Sequence, residues 1–170
     1  MRAIKLGLIS IVILFIVITG ISLLMPSRII ISRAIDINAP YDSVYENVAE
    51  LSNWKKWYPV NDTATFMVSA IHTGEGATVK IDKATILIKK ITPNKIEGLW
   101  IEGATQDFLP AEFNFLSGDG SSHVTVQWQF IHNVKWYPWE KFASIVSNSS
   151  IGTFMEQSLE NLKETTETTK

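Results

Sequence analysis

The chain has 170 residues, 46% of them hydrophobic, with 15 basic and 17 acidic side chains and no cysteine. That length and apolar content suit one domain with a single core and exclude a disordered chain; the lack of cysteine excludes disulfides, thiol nucleophiles and Cys-based zinc sites. Two of the basic residues, Arg2 and Lys5, lie at the very start, so the remainder is acidic on balance, which argues against nucleic acid as a partner and against general adhesion to anionic lipid.

From Leu6 to Met25 no residue is charged. Twenty residues at helical rise span about 30 Å, the hydrocarbon thickness of a bilayer. Gly7, Ser10, Thr19, Gly20 and Ser22 are scattered around this helix rather than gathered on a polar face, unlike a core helix. A cleaved signal peptide is the alternative, with Gly20-Ile21-Ser22 as its small-x-small site, but the apolar run continues through Leu23, Leu24 and Met25. Residues 1–26 are therefore expected to form an uncleaved single-pass membrane anchor. Arg2 and Lys5 before the span and Arg28 and Arg33 after it barely set an orientation. The short positive leader favours the N-terminus inside, which places the domain outside the cytoplasm.

Pro26 and Ser27 separate the anchor from residues 27–166, the expected domain. Residues 29–37 read as a strand with Ile29, Ile31, Arg33, Ile35 and Ile37 on one face. Pro40 suits a helix start because it has no N–H to lose there, and Asp42 complements the positive end of the helix dipole. Tyr41, Val44, Tyr45, Val48 and Leu51 then give one apolar stripe. "SNWKKW" predicts a second short helix, capped by Ser52 or Asn53 and stopped by Pro59, with Trp54 and Trp57 on one face.

Six further strands are expected near 65–70, 77–82, 85–91, 95–101, 111–116 and 122–131. Pro93-Asn94 and Asp119-Gly120 mark turns. Val124, Val126, Trp128 and Phe130 alternate with Thr125, Gln127 and Gln129; Ala111, Phe113 and Phe115 alternate with Glu112 and Asn114. Such one-sided alternation predicts an antiparallel sheet with one covered face. In the tail, Trp139, Phe142, Ala143 and Val146 form a first helical stripe and "SNSS" at 147–150 interrupts it. Ile151, Phe154, Met155, Leu159 and Leu162 form a second stripe, and residues 167–170 are expected to fray. This C-terminal helix is the only long amphipathic element available to cover the sheet.

Little here carries chemistry by motif. His72, His123 and His132 show no ligand spacing, and Gly74-Glu75-Gly76 reads as a turn, since it lacks the lysine and helix start of a phosphate loop. No metal and no cofactor is expected. The acids Glu97, Glu102, Asp107 and Glu112 are the available general acid/base groups; any of them facing an apolar cavity would have a raised pKa. Alternation puts Glu112 opposite Phe113 and Phe115, and the plain reading of the others is a solvated strand face.

The run "INAPYDSVYENVAELSNWKKWYP", the Gly-x-Gly turn at "TGEGA" and the ending "IGTFMEQSLENLKE" together resemble the START-like (SRPBCC) superfamily. More narrowly they resemble its polyketide cyclase/dehydrase-like branch, which includes members with an N-terminal membrane helix. The resemblance covers about residues 28–165. It implies an α+β helix-grip fold, a curved antiparallel sheet around a long C-terminal helix with an apolar cavity between them. The chain departs from the pattern at Val60 and in "ATVKID", where relatives often carry aromatics, so the pocket's shape is its own. The ligand-lining candidates are then Trp54, Trp57, Trp100, Phe113, Phe115, Trp128, Phe130, Phe154 and Met155. Three functions follow as expectations. The first is a membrane-anchored binding domain for a small hydrophobic or lipid-like ligand. The second is a cyclase, dehydratase or hydrolase using a cavity carboxylate. The third is an interaction domain whose aromatics fill the core.

Overall fold

The computed structural model describes residues 2–61, 63–102, 107–117 and 122–168, without the side chains of 2, 3, 102, 107 and 146–148. After the apolar helix α1 (Arg2–Leu24) come β1 (Arg28–Ile37), α2 (Tyr41–Ala49) and a 3-10 helix (Leu51–Lys56). Then follow β2 (Phe66–Val68), β3 (Thr78–Ile81), β4 (Ala84–Thr92), β5 (Lys95–Glu102), β6 (Asp107–Leu116), β7 (Val124–Asn133) and the closing helix α3 (Pro138–Thr168). The seven strands form one antiparallel sheet in the order β1-β7-β6-β5-β4-β3-β2. Only β1 leaves chain order, reaching past the helices to pair with β7 along its full length.

Alternation works as the sequence predicts. Val124, Val126, Trp128 and Phe130 of β7 are buried on the inner face with Ala111, Phe113 and Phe115 of β6. The outer face is polar and cross-linked. Thr125 Oγ1 donates to Asp36 (2.5 Å), Gln127 Nε2 to Ser32 (3.0 Å) and Gln129 Nε2 to Glu112 (2.5 Å). Arg33 is the one charged residue on the inner face of β1, opposite Trp128. Its guanidinium lies over Gly152 of α3 and pairs with Glu156. A Cβ at position 152 would meet the Arg33 guanidinium, which would have to swing aside. Gly74 and Gly76 both have φ of +87°, the left-handed region in which glycine costs least, as a turn there requires.

Glu50 ties α2 to the 3-10 helix. Its carboxylate accepts from the Ser52 N–H (3.2 Å) and Oγ–H (2.6 Å) and lies 2.7 Å from His72 Nδ1. Burial acts to raise its pKa, but the bonds from Ser52 and His72 outweigh this and hold it below the ordinary 4.5. A depressed acid contributes stability above its unfolded pKa and loses it as pH falls through the folded value. Urea unfolding should therefore find wild type more stable than Glu50→Gln at neutral pH. The gap should narrow as the pH falls below the ordinary carboxylate range and the carboxyl takes up its proton; a gap independent of pH would contradict the assignment.

The structure corrects the sequence reading in several places. The 3-10 helix is capped by Glu50, whose side chain accepts from the Ser52 N–H, rather than by Ser52 or Asn53. β6 begins at Asp107 and runs through Pro110, whereas a start at 111 was expected. The β7 ladder starts only at Ala111, so one side of β6 is unpaired at Pro110, where a missing N–H is tolerated. The helix α3 is continuous across 147–150, where the Ser149 carbonyl accepts from Thr153 Oγ1 (3.1 Å) within the helix. It runs on through Thr168, into the segment expected to fray, and Glu167 accepts the Asn38 N–H at 2.7 Å. Last, Trp139 and Phe142 of its first stripe face outward, while Lys141 and Ser144 take the buried positions. The Asp119-Gly120 turn lies outside the described residues.

α1 contains a stretch, Ile4–Leu24, with mean hydropathy 2.8, long and apolar enough to cross a membrane. Almost all of it is exposed, so it is no core helix here. Among the described residues, its contacts with the domain lie at its C-terminal end. Ser22 Oγ donates to the Trp136 carbonyl (3.1 Å), and Lys141 Nζ donates to the Met25 carbonyl and Ser27 Oγ, both at 2.8 Å.

Candidate ligand-binding site

The two short helices close one end of the space between sheet and α3, and their tryptophans lock them there. Trp54 Nε1 donates to the Val48 carbonyl (2.8 Å) and Trp57 Nε1 to the Asn47 carbonyl (3.0 Å), both on α2. Asn161 of α3 donates to the Trp57 carbonyl at 3.0 Å. Both indoles are fully buried, with ring centroids 4.9 Å apart. Their polar ends are spent on the backbone, so these two residues hold the wall together.

Trp54 and Trp57 abut the inner face of the sheet. Phe113 stacks on Trp128 at 4.8 Å and 21°. Trp100 lies 5.6 Å from Trp54 and 5.7 Å from Trp128, and meets Phe130 edge-on at 5.2 Å. Phe154 of α3 closes on Trp128 at 5.9 Å and on Tyr58 at 5.2 Å. Met155 is buried in the same core. Phe115 sits apart, at the other end of the sheet, against Tyr41 (6.1 Å) and Tyr45 (5.2 Å).

This packing fills the middle of the domain, and the remaining space opens at one end. A groove of about 500 Å³ is lined by Trp100, Phe108, Leu109, Phe130, Ile151 and Phe154, with Tyr58, Ala84, Ile101, His132 and Ser150 completing it. Three of the nine sequence candidates, Trp100, Phe130 and Phe154, thus form its wall. Trp54, Trp57, Phe113, Trp128 and Met155 lie in the core cluster behind it, and Phe115, also in that cluster, does not reach the groove. Two larger clefts, about 700 and 740 Å³, carry mostly polar linings, such as Asn94, Ser117 and His123 in one and Lys55, Lys56, Asn61 and Gln157 in the other. Their chemistry does not suit an apolar guest.

Two donors near the groove have no hydrogen-bond partner among the described residues: the indole N–H of Trp100 and that of Trp128. Trp100 lines the groove and is 8% exposed. A buried donor left unmade costs about 1–3 kcal/mol, so an acceptor reaching either indole would recover that cost. Tyr58, His132 and Ser150 are the other side chains with polar groups on the wall. The alternation of β7, carried one step past Phe130, places His132 inward; Phe108 and Leu109 fell outside the strand expected from 111.

Two of the candidate carboxylates stand elsewhere. Glu97 and Glu112 lie on the outer face of β5 and β6, each 3.0 Å from Lys95 Nζ. Burial works against the charge on Lys95, but these two partners outweigh it and raise the lysine's pKa. Glu102 and Asp107 pair across the ends of β5 and β6, and their side chains lie outside the description. Among the described residues, no group of three His, Asp or Glu is placed to hold a metal.

No family model matches the sequence, and no curated protein matches it. Its likeness to solved structures is in shape. The KanY protein superposes with a TM-score of 0.63 at 11% identity over 84% of this chain and 99% of that one. DynU16, from the dynemicin biosynthetic locus, gives 0.61 at 15% identity over 83% of this chain; the chain spans only 48% of DynU16. CalU16 from Micromonospora echinospora gives 0.56 at 15% identity over 80% of this chain and 71% of that one. Identities this low speak to fold alone. The seven-stranded antiparallel sheet, the two short helices at its end and the long helix across it make this a helix-grip fold.

Proposed function

We propose that this chain is a membrane-tethered, START-like (SRPBCC) domain that holds a small apolar or lipid-like molecule in the groove between β5–β7 and α3. The observation that carries the reading is the groove itself: about 500 Å³ of mostly apolar wall, with the indole donors of Trp100 on the wall and Trp128 behind it lacking a partner among the described residues. Ligand sites commonly enclose roughly 300–1,000 Å³, with apolar walls and a few polar groups that orient the guest. Binding would come from apolar burial at about 25 cal/mol per Å². An acceptor on the guest would meet an indole N–H, His132 or Ser150.

The tether fits this role. α1 is long and apolar enough to span, and its last residues are bonded into the domain through Ser22 and Met25, which favours an anchor that stays in place over a cleaved leader. Arg2 and Lys5 ahead of the span favour the domain lying outside the cytoplasm. An enzyme using a cavity carboxylate draws no support from Glu97 or Glu112, which are held on the outer face.

Photolabelling tests the reading. The full chain is reconstituted in bilayers containing a diazirine-bearing acyl lipid, irradiated and mapped by peptide mass spectrometry. Adducts on the peptides that carry Trp100, Phe130 and Ile151 are expected in addition to any on α1. Adducts confined to α1 would reject the groove as a lipid-binding site.

A further inference from the structure

The first turns of α3 are inside out. Lys141 is 2% exposed and Ser144 is also 2% exposed, yet Trp139 (62%), Phe142 (43%) and Ile145 (57%) face solvent. Just before the helix, Trp136 is 55% exposed. Its ring lies 4.8 Å from that of Tyr137, which stacks on Trp139 at 5.0 Å and 6°. A soluble helix places its apolar stripe on the core; here buried polar residues bind the linker after α1, and the apolar stripe is left outside. No described charged side chain interrupts the stripe: Glu140 is turned toward the Lys135 N–H, which it accepts at 3.0 Å.

Position says what covers it. The patch adjoins the base of α1: the Trp136 carbonyl accepts from Ser22, and Lys141 holds the Met25 carbonyl. The exposed apolar surface of α1 therefore continues into the exposed surface of α3. Residues 6–25 reach the hydrocarbon boundary near Met25, whose carbonyl Lys141 holds, so the patch stands where tryptophan and tyrosine are most favoured, at the headgroup level. We propose that Trp136, Trp139, Phe142 and Ile145 insert into the bilayer interface and fix the domain's tilt on the membrane. This rests on α1 being a membrane span. The exposed basic residue beside the patch, Lys135, is paired with Glu140 at 3.8 Å, so docking is apolar and needs no anionic lipid, in contrast to a polybasic surface. Ser150, on the groove wall, lies eleven residues beyond Trp139 on nearly the same helical face, about 16 Å along the axis. A docked patch keeps the groove close to the lipid.

The chain has no cysteine, so single labels can be placed at will. Spin labels at Trp139→Cys, Phe142→Cys, Phe15→Cys and Met67→Cys are read in the full chain, reconstituted in phosphatidylcholine vesicles, by collision with oxygen and with a water-soluble nickel chelate. The expected result is a severalfold higher oxygen-to-nickel ratio at 139 and 142 than at Met67, which is exposed on the far strand β2, unchanged by high salt. Aqueous values at 139 and 142 with a lipid value at 15 would overturn the docking and leave the span intact. Aqueous values at 15 as well would overturn the span and the docking together. Protection of 139 and 142 from both reagents would mean a protein covers the patch, and would equally overturn the proposal.

Discussion

Trp128→Ala is expected to lower the unfolding free energy by about 3–5 kcal/mol, the range for removing a large buried aromatic. Trp128 is fully buried, and its ring touches those of Trp57, Trp100, Phe113, Phe130 and Phe154. These five partners come from the C-terminal cap of the 3-10 helix, β5, β6, β7 and α3, so no single element can collapse into the space left behind. The cost should therefore fall at the upper end of the range. Part of it is offset, because the indole N–H has no partner among the described residues and its loss strands no acceptor. Chemical denaturation monitored by circular dichroism measures it. A loss under about 1 kcal/mol would mean that the rings pack loosely, contrary to the tight centroid distances.

Ile151→Trp is expected to empty the groove of its guest while leaving the fold in place. Ile151 is half-buried on the α3 side of the groove, one turn before Phe154. An indole there fills the apolar volume from the open side, where overpacking strain can relax into solvent, unlike in a closed core. Retention of a bound apolar molecule should fall at least about tenfold, a change of 1.4 kcal/mol or more. The melting temperature should move by only a few degrees. Met67→Trp, on the exposed strand β2 far from the groove, is the control that should leave retention unchanged.

Much of the fold was legible in the residues. The period-two pattern of 124–130 and 111–115 gave the inner face of the sheet correctly, because one face is buried and a slip of one residue would expose Trp128 and Phe113. Pro40 and the Trp54–Trp57 pair marked the two short helices. What periodicity does not carry is which face turns inward. Trp139 and Phe142 form a sound apolar stripe, yet the linker after α1 claims Lys141 and turns the stripe outward. Pro110 hid the first residues of β6, since a proline inside a strand reads as a break unless a neighbouring strand is known to stop there. Nor could the sequence separate a lined cavity from a packed one. Trp54 and Trp57 read equally well as rim or core, and their N–H bonds to Asn47 and Val48 are what make them core. Tyr58, Phe108 and His132 reach the groove through the ends of elements, where boundaries read from sequence are least sharp.

The central claim is that the groove at the open end of the helix grip holds an apolar molecule. Native mass spectrometry of the full chain, released from detergent micelles and followed by solvent extraction and identification of the guest, tests it most directly. A discrete added mass on wild type that is lost from Ile151→Trp and retained by Met67→Trp is the result this account predicts. A wild-type chain that flies without any added mass, even after incubation with total lipid extract, would contradict it and leave a domain whose aromatics serve packing alone.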